Sequence, residues 1–312
     1  MTKSEREKIV RQRLEATVKK SAEAYVTRAK VAKKAVAPPT YRKAIVTFID
    51  IIGFKELVKK RTAAEIHEIL SELATWSAGD TDEITNEGVA SIPVGLVGAI
   101  AFSDNVVRVC PIDSDEGGHG ALFHELLSLV HVQATLARRG VFLRGGVTVD
   151  DIYMSSGMVF GPGLVRAYEL ESLLAIYPRI VVDPAAIHAL FVHPAMRGHH
   201  NVETDLQYID ELLRESEDGF YFVDYLKACR SELADPGEGY PLLLREHARF
   251  ITQAAEKISE LASAKQKYLW LARYHNTVVS ETPDADEDCQ IDEAALQFPE
   301  LSEATVVTRR DT

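Results

Sequence analysis

Ala44-Ile45-Val46-Thr47-Phe48-Ile49-Asp50-Ile51-Ile52-Gly53-Phe54-Lys55-Glu56-Leu57 sets out a strand, a turn and the start of a helix without interruption. The β-branched, apolar run reads as a buried strand. It ends in a carboxylate, Gly53 supplies the turn, and a helical pattern follows. Asp50 is thereby delivered to the open end of a strand. Further on, Ile100-Ala101-Phe102-Ser103-Asp104-Asn105-Val106-Val107-Arg108-Val109 places a second aspartate between two short apolar runs, as at a hairpin tip. Two strand-end aspartates suit a divalent cation that takes one or two carboxylates from protein and its other oxygens from phosphate and water. Ordinary turn and capping chemistry is the other reading of each aspartate.

Charge and composition narrow the function classes. The 312 residues are 46% hydrophobic, enough for one large domain with extensions. A net charge of −12 argues against a broad nucleic-acid surface, which needs clustered Lys and Arg. Residues 1–43 run the other way, with 13 Lys and Arg against 4 Glu. In that segment Val10, Leu14, Val18, Ala22 and Tyr25 recur at helical spacing, and Pro38-Pro39 ends the helix. Cys110, Cys229 and Cys289 are far apart and odd in number, which suggests neither a disulfide framework nor a zinc site. The chain reads as reduced and cytoplasmic. Its most apolar window, 89–102, contains Pro93, Gly95 and Gly98, is too short to span a bilayer, and is expected to be a buried hairpin.

The expected fold class is α+β, with helices and strands alternating irregularly around one mixed, mainly antiparallel sheet. The expected elements are a strand at 43–50, a helix or helix pair over 54–78 and strands flanking Asp104. A helix over 119–139 follows, then strands at 141–149 and 152–160. A short helix opens at Gly161-Pro162-Gly163, and a strand spans 179–183. Beyond this come helices at 207–216 and 241–275 and a strand at 220–223. Four regions result: a basic helical extension (1–41), a catalytic domain (42–190), a mainly helical region (191–278) and an acidic tail (279–312) expected to be mobile over 283–293.

The run Phe48-Ile49-Asp50-Ile51-Ile52-Gly53-Phe54 resembles the strand-to-helix metal motif of class III nucleotidyl cyclases. Asp104, Leu143-Arg144-Gly145-Gly146-Val147-Thr148-Val149, and Gly161 through Glu171-Ser172 follow in that family's order, over roughly residues 42–190. The resemblance implies two Mg²⁺ or Mn²⁺ ions per site, held by Asp50, Asp104 and the Ile51 carbonyl. It also implies a head-to-tail homodimer with composite sites. The 3′-hydroxyl of a nucleoside triphosphate would attack the α-phosphate and release pyrophosphate. Phe48, Gly53 and Phe54 belong to the motif and are substrate-binding candidates on the same ground.

Departures from the family pattern bear on turnover and on the base. Where the helix after Gly161 should present an Asn and then an Arg, this chain has Val165 and Glu169. Arg166, one position from the missing Asn, is the candidate replacement as a catalytic group, with surface solvation as its alternative. Arg144 is a candidate phosphate contact or a structural ion pair. At the two positions where purine-specific members hold polar groups stand Ile100 and Met158, neither able to hydrogen-bond a purine edge. This pattern is similar to the bacterial Pycsar cyclases, which make cyclic CMP or cyclic UMP for a separate effector protein in antiphage defence. The substrate implied is a pyrimidine triphosphate, UTP ahead of CTP; Tyr153, Phe160 and Tyr168 could narrow the cleft around the smaller base. A catalytically silent cyclase-like module and a purine cyclase are the alternatives. His124, His131 and His199-His200 lack a convincing ligand set for zinc.

Overall fold

The apolar run at 42–51 forms a ten-residue strand, β1 (Arg42–Ile51), whose side chains divide by parity between two cores. Ile45, Ile49 and Ile51 enter the larger core, whereas Ala44 and Val46 enter a smaller one on the opposite face with Phe48 packed against it. The computed structural model describes residues 39–77, 97–112, 120–155, 157–256, 262–283, 285, 287–294 and 296. The basic helix expected within 1–41, the first part of the expected hairpin at 89–96 and the end of the tail lie outside the described residues.

Gly53 takes a left-handed φ of 73°, which a residue without Cβ adopts freely, and turns the chain into α1 (Phe54–Lys60) and α2 (Ala63–Ser77). β2 (Gly98–Phe102) and β3 (Asn105–Pro111) form a hairpin around Ser103 and Asp104. α3 (Ala121–Ala137) buries Leu122, Leu126, Leu129, Val130 and Leu136 in the larger core, each contributing about 1.5–3 kcal/mol by leaving water. The chain continues through β4 (Leu143–Ser155), β5 (Met158–Phe160), α4 (Pro162–Glu169), β6 (Ile180–Val182), α5 (Pro184–Val192) and α6 (Val202–Asp210). β7 (Leu213–Glu215), β8 (Tyr221–Val223), α7 (Tyr225–Glu232), α8 (Pro236–Glu256) and α9 (Ala262–Ser280) complete it.

Among the described residues eight strands form the sheet, in the order β2-β3-β1-β4-β6-β8-β7, with β5 paired to β4. Every pairing is antiparallel except β4 with β6. The architecture is therefore α+β, mainly antiparallel and flanked by helices. α4 lies on the smaller-core face against β1 and β4. Gly146 permits this approach, because a Cβ there would stand 2.3 Å from the Leu170 Cβ and 2.7 Å from the Ala167 carbonyl oxygen.

Several expectations are corrected. The strands expected at 141–149 and 152–160 are one thirteen-residue strand plus the three-residue β5. Asp150 and Asp151, which read as a turn, stay in that strand because Lys43 on β1 pairs with both, at 3.1 and 3.0 Å. β2 is an edge strand with half-buried and exposed side chains, so the 98–102 part of the apolar window is not buried. The helix expected over 207–216 stops at Asp210 and gives way to β7. β8 and β7 extend the sheet past β6, and the larger core takes residues from both sides of residue 190. Among the described residues, no helix is long and apolar enough to cross a membrane.

Within the acidic segment the described residues 287–292 are anchored. Cys289 and Ile291 are buried, and the Ile291 N–H donates to Asn276 Oδ1 at 2.8 Å. A buried chain of contacts leads there: Tyr225 Oη to His247 Nε2 (2.6 Å), His247 Nδ1 to His275 Nδ1 (3.0 Å), His275 Nε2 to the Cys289 carbonyl (2.7 Å). A carbonyl only accepts, so His275 donates from Nε2, accepts at Nδ1 from His247, and both rings are neutral. Burial pushes the pKa of His275 down to about 4 and that of His247 well below its ordinary value. The unfolded chain binds those protons near pH 6.5, so the stability is fully present above pH 6.5 and is lost as pH falls toward 4. His275 alone accounts for a loss of about 3 kcal/mol over that window. The melting temperature should fall across it, and less steeply in His275→Gln; equal slopes would contradict the assignment.

Candidate active site

Strand register builds the site. Asp50 pairs with Asn105 on β3 and with Arg144 on β4, and Phe102 on β2 completes that row. The next row is Ile100, Val107, Phe48 and Gly146. Both rows lie on the face that carries α4. The hairpin returns Asp104 to the same end of the sheet, near enough for its charge to raise the pKa of Asp50. Ser103, just before Asp104, has φ 58°, the only non-glycine residue in the left-handed region among the described residues. Backbone strain of this kind concentrates at functional sites.

Asp50 and Arg144 are the fixed centre of the cluster. The Arg144 Nε donates to Asp50 Oδ2 at 2.8 Å, and its Nη2 lies 2.6 Å from Glu171 Oε1. Glu171 is 3% exposed, on the π-helical turn Leu170–Leu174 that continues α4. Burial raises the pKa of Asp50, with Asp104 adding to the rise and Arg144 opposing it. Glu171 is likewise raised by burial and pulled back by Arg144. In the structure Arg144 is thus a structural ion pair joining strand and helix, the alternative to its reading as a phosphate contact.

The remaining candidates distribute unevenly. Phe48 lies on the Asp50 face, in edge-to-face contact with Tyr168 at 5.5 Å. Gly53 opens α1, but Phe54 packs against the larger core on the opposite face. Ile100 lies one row from Asp50, whereas Met158 sits on β5 against Ser155, at the far end of β4 from Arg144. Tyr153 and Phe160 pack together there, 4.8 Å apart. Arg166 donates from Nε to Asp183 at 2.6 Å, beside Thr148, which donates to the same carboxylate oxygen at 3.0 Å. Thr148 is four residues along β4 from Arg144, about 13 Å, so the chain does not bring its own Arg166 to Asp50. A separate cavity of about 380 Å³ lies among Gly120, Phe123, His124, His199, His200 and Tyr208 and shares no residue with this cluster.

Asp50, Asp104 and the end of β1 at Ile51 offer only hard oxygen donors, and two neighbouring carboxylates at one end of the sheet favour a cation between them. Among the described residues no set of three or more His, Cys, Asp or Glu is arranged to hold a metal. Two carboxylates fit Mg²⁺ or Mn²⁺ when phosphate supplies the balance.

No family model matches the chain, and no curated protein does. Among solved structures it is similar to the adenylyl cyclase CyaB from P. aeruginosa, at 14% identity and a TM-score of 0.38 over 60% of this chain and 96% of that one. It is also similar to a class III adenylyl cyclase-like ATP-binding protein from Pseudomonas aeruginosa, at 13% identity and a TM-score of 0.31 over 54% of this chain. The match spans 40% of that second protein. Neither likeness transfers a residue role to this chain.

Glu171 is the site residue that sequence reasoning did not single out. It stood inside a recognised segment, but its pairing with Arg144 depends on how closely α4 approaches Gly146.

Proposed function

We propose that this chain is a nucleotidyl cyclase that converts a pyrimidine nucleoside triphosphate, UTP ahead of CTP, to its 3′,5′-cyclic monophosphate and pyrophosphate. The observation that carries the reading is the nearness of Asp50 and Asp104 at one end of the sheet, with Arg144 fixing Asp50 from the neighbouring strand. Bound Mg²⁺ or Mn²⁺ would supply charge neutralisation for the attacking and leaving oxygens. Asp50, Asp104 and the Ile51 carbonyl would hold it. Arg144 restrains the Asp50 carboxylate, and Glu171 restrains Arg144, so the donor set is organised in advance. The 3′-oxygen forms a bond to the α-phosphorus as the bond to the bridging oxygen breaks; the hydroxyl proton leaves to solvent and pyrophosphate departs.

A homodimer with composite sites agrees with two features. Phe102, Met158, Val165 and Tyr168 expose apolar surface around the Asp50 face and α4. Met158 and Arg166 are remote from their own chain's Asp50, so a partner's site is where they would act. The product would then serve a separate effector protein in antiphage signalling, as the Pycsar resemblance implies, and the enzyme would work in the cytoplasm. A cyclase-like module without turnover is favoured by Val165 and Glu169 in place of Asn and Arg. Keeping both aspartates at one end of the sheet weighs against it.

Ile100 and Met158 offer no polar partner to a purine edge, so UTP or CTP should be converted at least about tenfold faster than ATP or GTP, equivalent to roughly 1.4 kcal/mol in the transition state. Initial rates for the four triphosphates at equal concentration below KM, with products resolved by chromatography, test this. A preference for ATP or GTP would overturn the pyrimidine assignment.

A further inference from the structure

We infer that the cavity between the start of α3 and α6 binds a small alkylated ammonium ion, seated against Asp205 and walled by aromatic rings. Five acidic residues are buried among the described residues: Glu125, Glu171, Asp183, Asp205 and Asp224. Glu125, Glu171, Asp183 and Asp224 each face an arginine at 2.6–2.8 Å, namely Arg108, Arg144, Arg166 and Arg214. Asp205, only 7% exposed, has no cation within 4 Å among the described residues. A buried carboxylate without a cation is unfavourable, and the other four show how this chain ordinarily offsets that cost. A cation from solution would do the same for Asp205.

The local backbone keeps that carboxylate open. The Gly120 N–H donates to the Arg197 carbonyl and holds the start of α3 against the loop before α6. The Gly198 N–H donates to Asp205 Oδ2 at 3.0 Å, and Oδ1 stands 2.8 Å from where a Cβ on Gly198 would lie. A side chain at 198 would therefore cover Oδ1, which receives no hydrogen bond among the described residues. Both glycines and Asp205 line a cavity of about 380 Å³, room for a compact organic ion.

The walls select the kind of cation. Phe123, His124, His200 and Tyr208 line the same cavity, and neighbouring rings are steeply inclined. Phe123 meets His124 at 73° and Tyr208 at 64°, and Tyr208 meets His200 at 55°. Rings inclined in succession enclose a rounded space, whereas a flat heterocycle calls for parallel faces. Aromatic walls beside a carboxylate suit an alkylated ammonium, whose methyl groups pack on the rings while its charge is drawn to the ring faces and to the carboxylate. A bare metal ion is not the occupant, because among the described residues no three His, Cys, Asp or Glu are arranged to hold one.

Calorimetry of the full chain with choline tests this without reference to turnover. Choline should bind saturably with Kd below about 1 mM. Its neutral isostere, in which a tert-butyl group replaces the trimethylammonium head, should bind at least about tenfold more weakly. Asp205→Asn should lose at least about tenfold in choline affinity and melt at the wild-type temperature, since the amide oxygen still accepts from Gly198. Tyr208→Leu, at an exposed position, should lose about three- to tenfold, and Tyr208→Phe should bind as wild type does. If Asp205 serves only to latch the Gly198 loop, Asp205→Asn will bind choline as wild type does, which overturns the assignment. The isostere binding as tightly as choline, or no saturable choline binding up to about 10 mM, overturns it as well. Should Asp205→Asn fail to fold, the Tyr208 variants decide: equal affinity in Tyr208→Leu and Tyr208→Phe overturns the site.

Discussion

Asp104→Asn should lower cyclic-nucleotide formation by at least about a thousandfold while leaving the chain folded, because a neutral amide no longer holds the cation that offsets several kcal/mol of transition-state charge. The substitution preserves shape, and Asp104 stands in the two-residue turn between β2 and β3, outside both cores. Asp50→Asn should cost as much activity but is less clean, since it also removes the carboxylate that receives Arg144 at 2.8 Å. Turnover within threefold of wild type in either variant would refute the metal assignment. The composite-site proposal extends this test. Mixing Asp104→Ala protein with Arg166→Ala protein should restore activity through one intact site per heterodimer. Absence of recovery, with subunit exchange verified, would remove Arg166 from the catalytic set.

Glu125→Leu should destabilise the fold by about 3–5 kcal/mol, because it strands a buried guanidinium. Arg108 is 3% exposed; it donates to Glu125 through Nε at 2.9 Å and Nη2 at 2.8 Å, and also to Ser128 Oγ at 3.1 Å. Thr47, opposite Arg108 in the β1–β3 register, donates to the same carboxylate at 2.7 Å. The network lies behind β1 and ties β1, β3 and α3 together. That register sets Asp50 opposite Asn105 and so beside Asp104. The double variant Arg108→Met with Glu125→Leu should recover most of the loss, since an apolar replacement of both partners leaves no unpaired charge. Urea unfolding measures both. A single variant within 1 kcal/mol of wild type, or a double variant no better than the single, would contradict this account of the network.

Where local chemistry is decisive, the fold could be read in advance. The β-branched run, Asp50 and Gly53 produced a strand, an edge carboxylate and a left-handed turn because each step depends on near neighbours. The Asp104 hairpin is legible for the same reason. The Asp150-Asp151 pair misled because acidic residues favour turns, and only Lys43 on the adjoining strand explains why they remain extended. Three-residue strands such as β7 are too short to show a period. The acidic segment at 283–293 hides two buried side chains, Cys289 and Ile291, whose anchors on α9 are tertiary. The two aspartates stood out as motif spacing, whereas Glu171 comes near Asp50 only through the packing of α4.

Incubation of the purified chain with each nucleoside triphosphate and Mn²⁺, with phosphorus NMR and chromatography of the products, tests the central claim most directly. The proposed activity yields a 3′,5′-cyclic nucleotide and inorganic pyrophosphate in equal amounts, from a pyrimidine triphosphate first, and none from Asp104→Asn protein. No cyclic product from any of the four triphosphates, or release of orthophosphate and a nucleoside diphosphate instead, would contradict it.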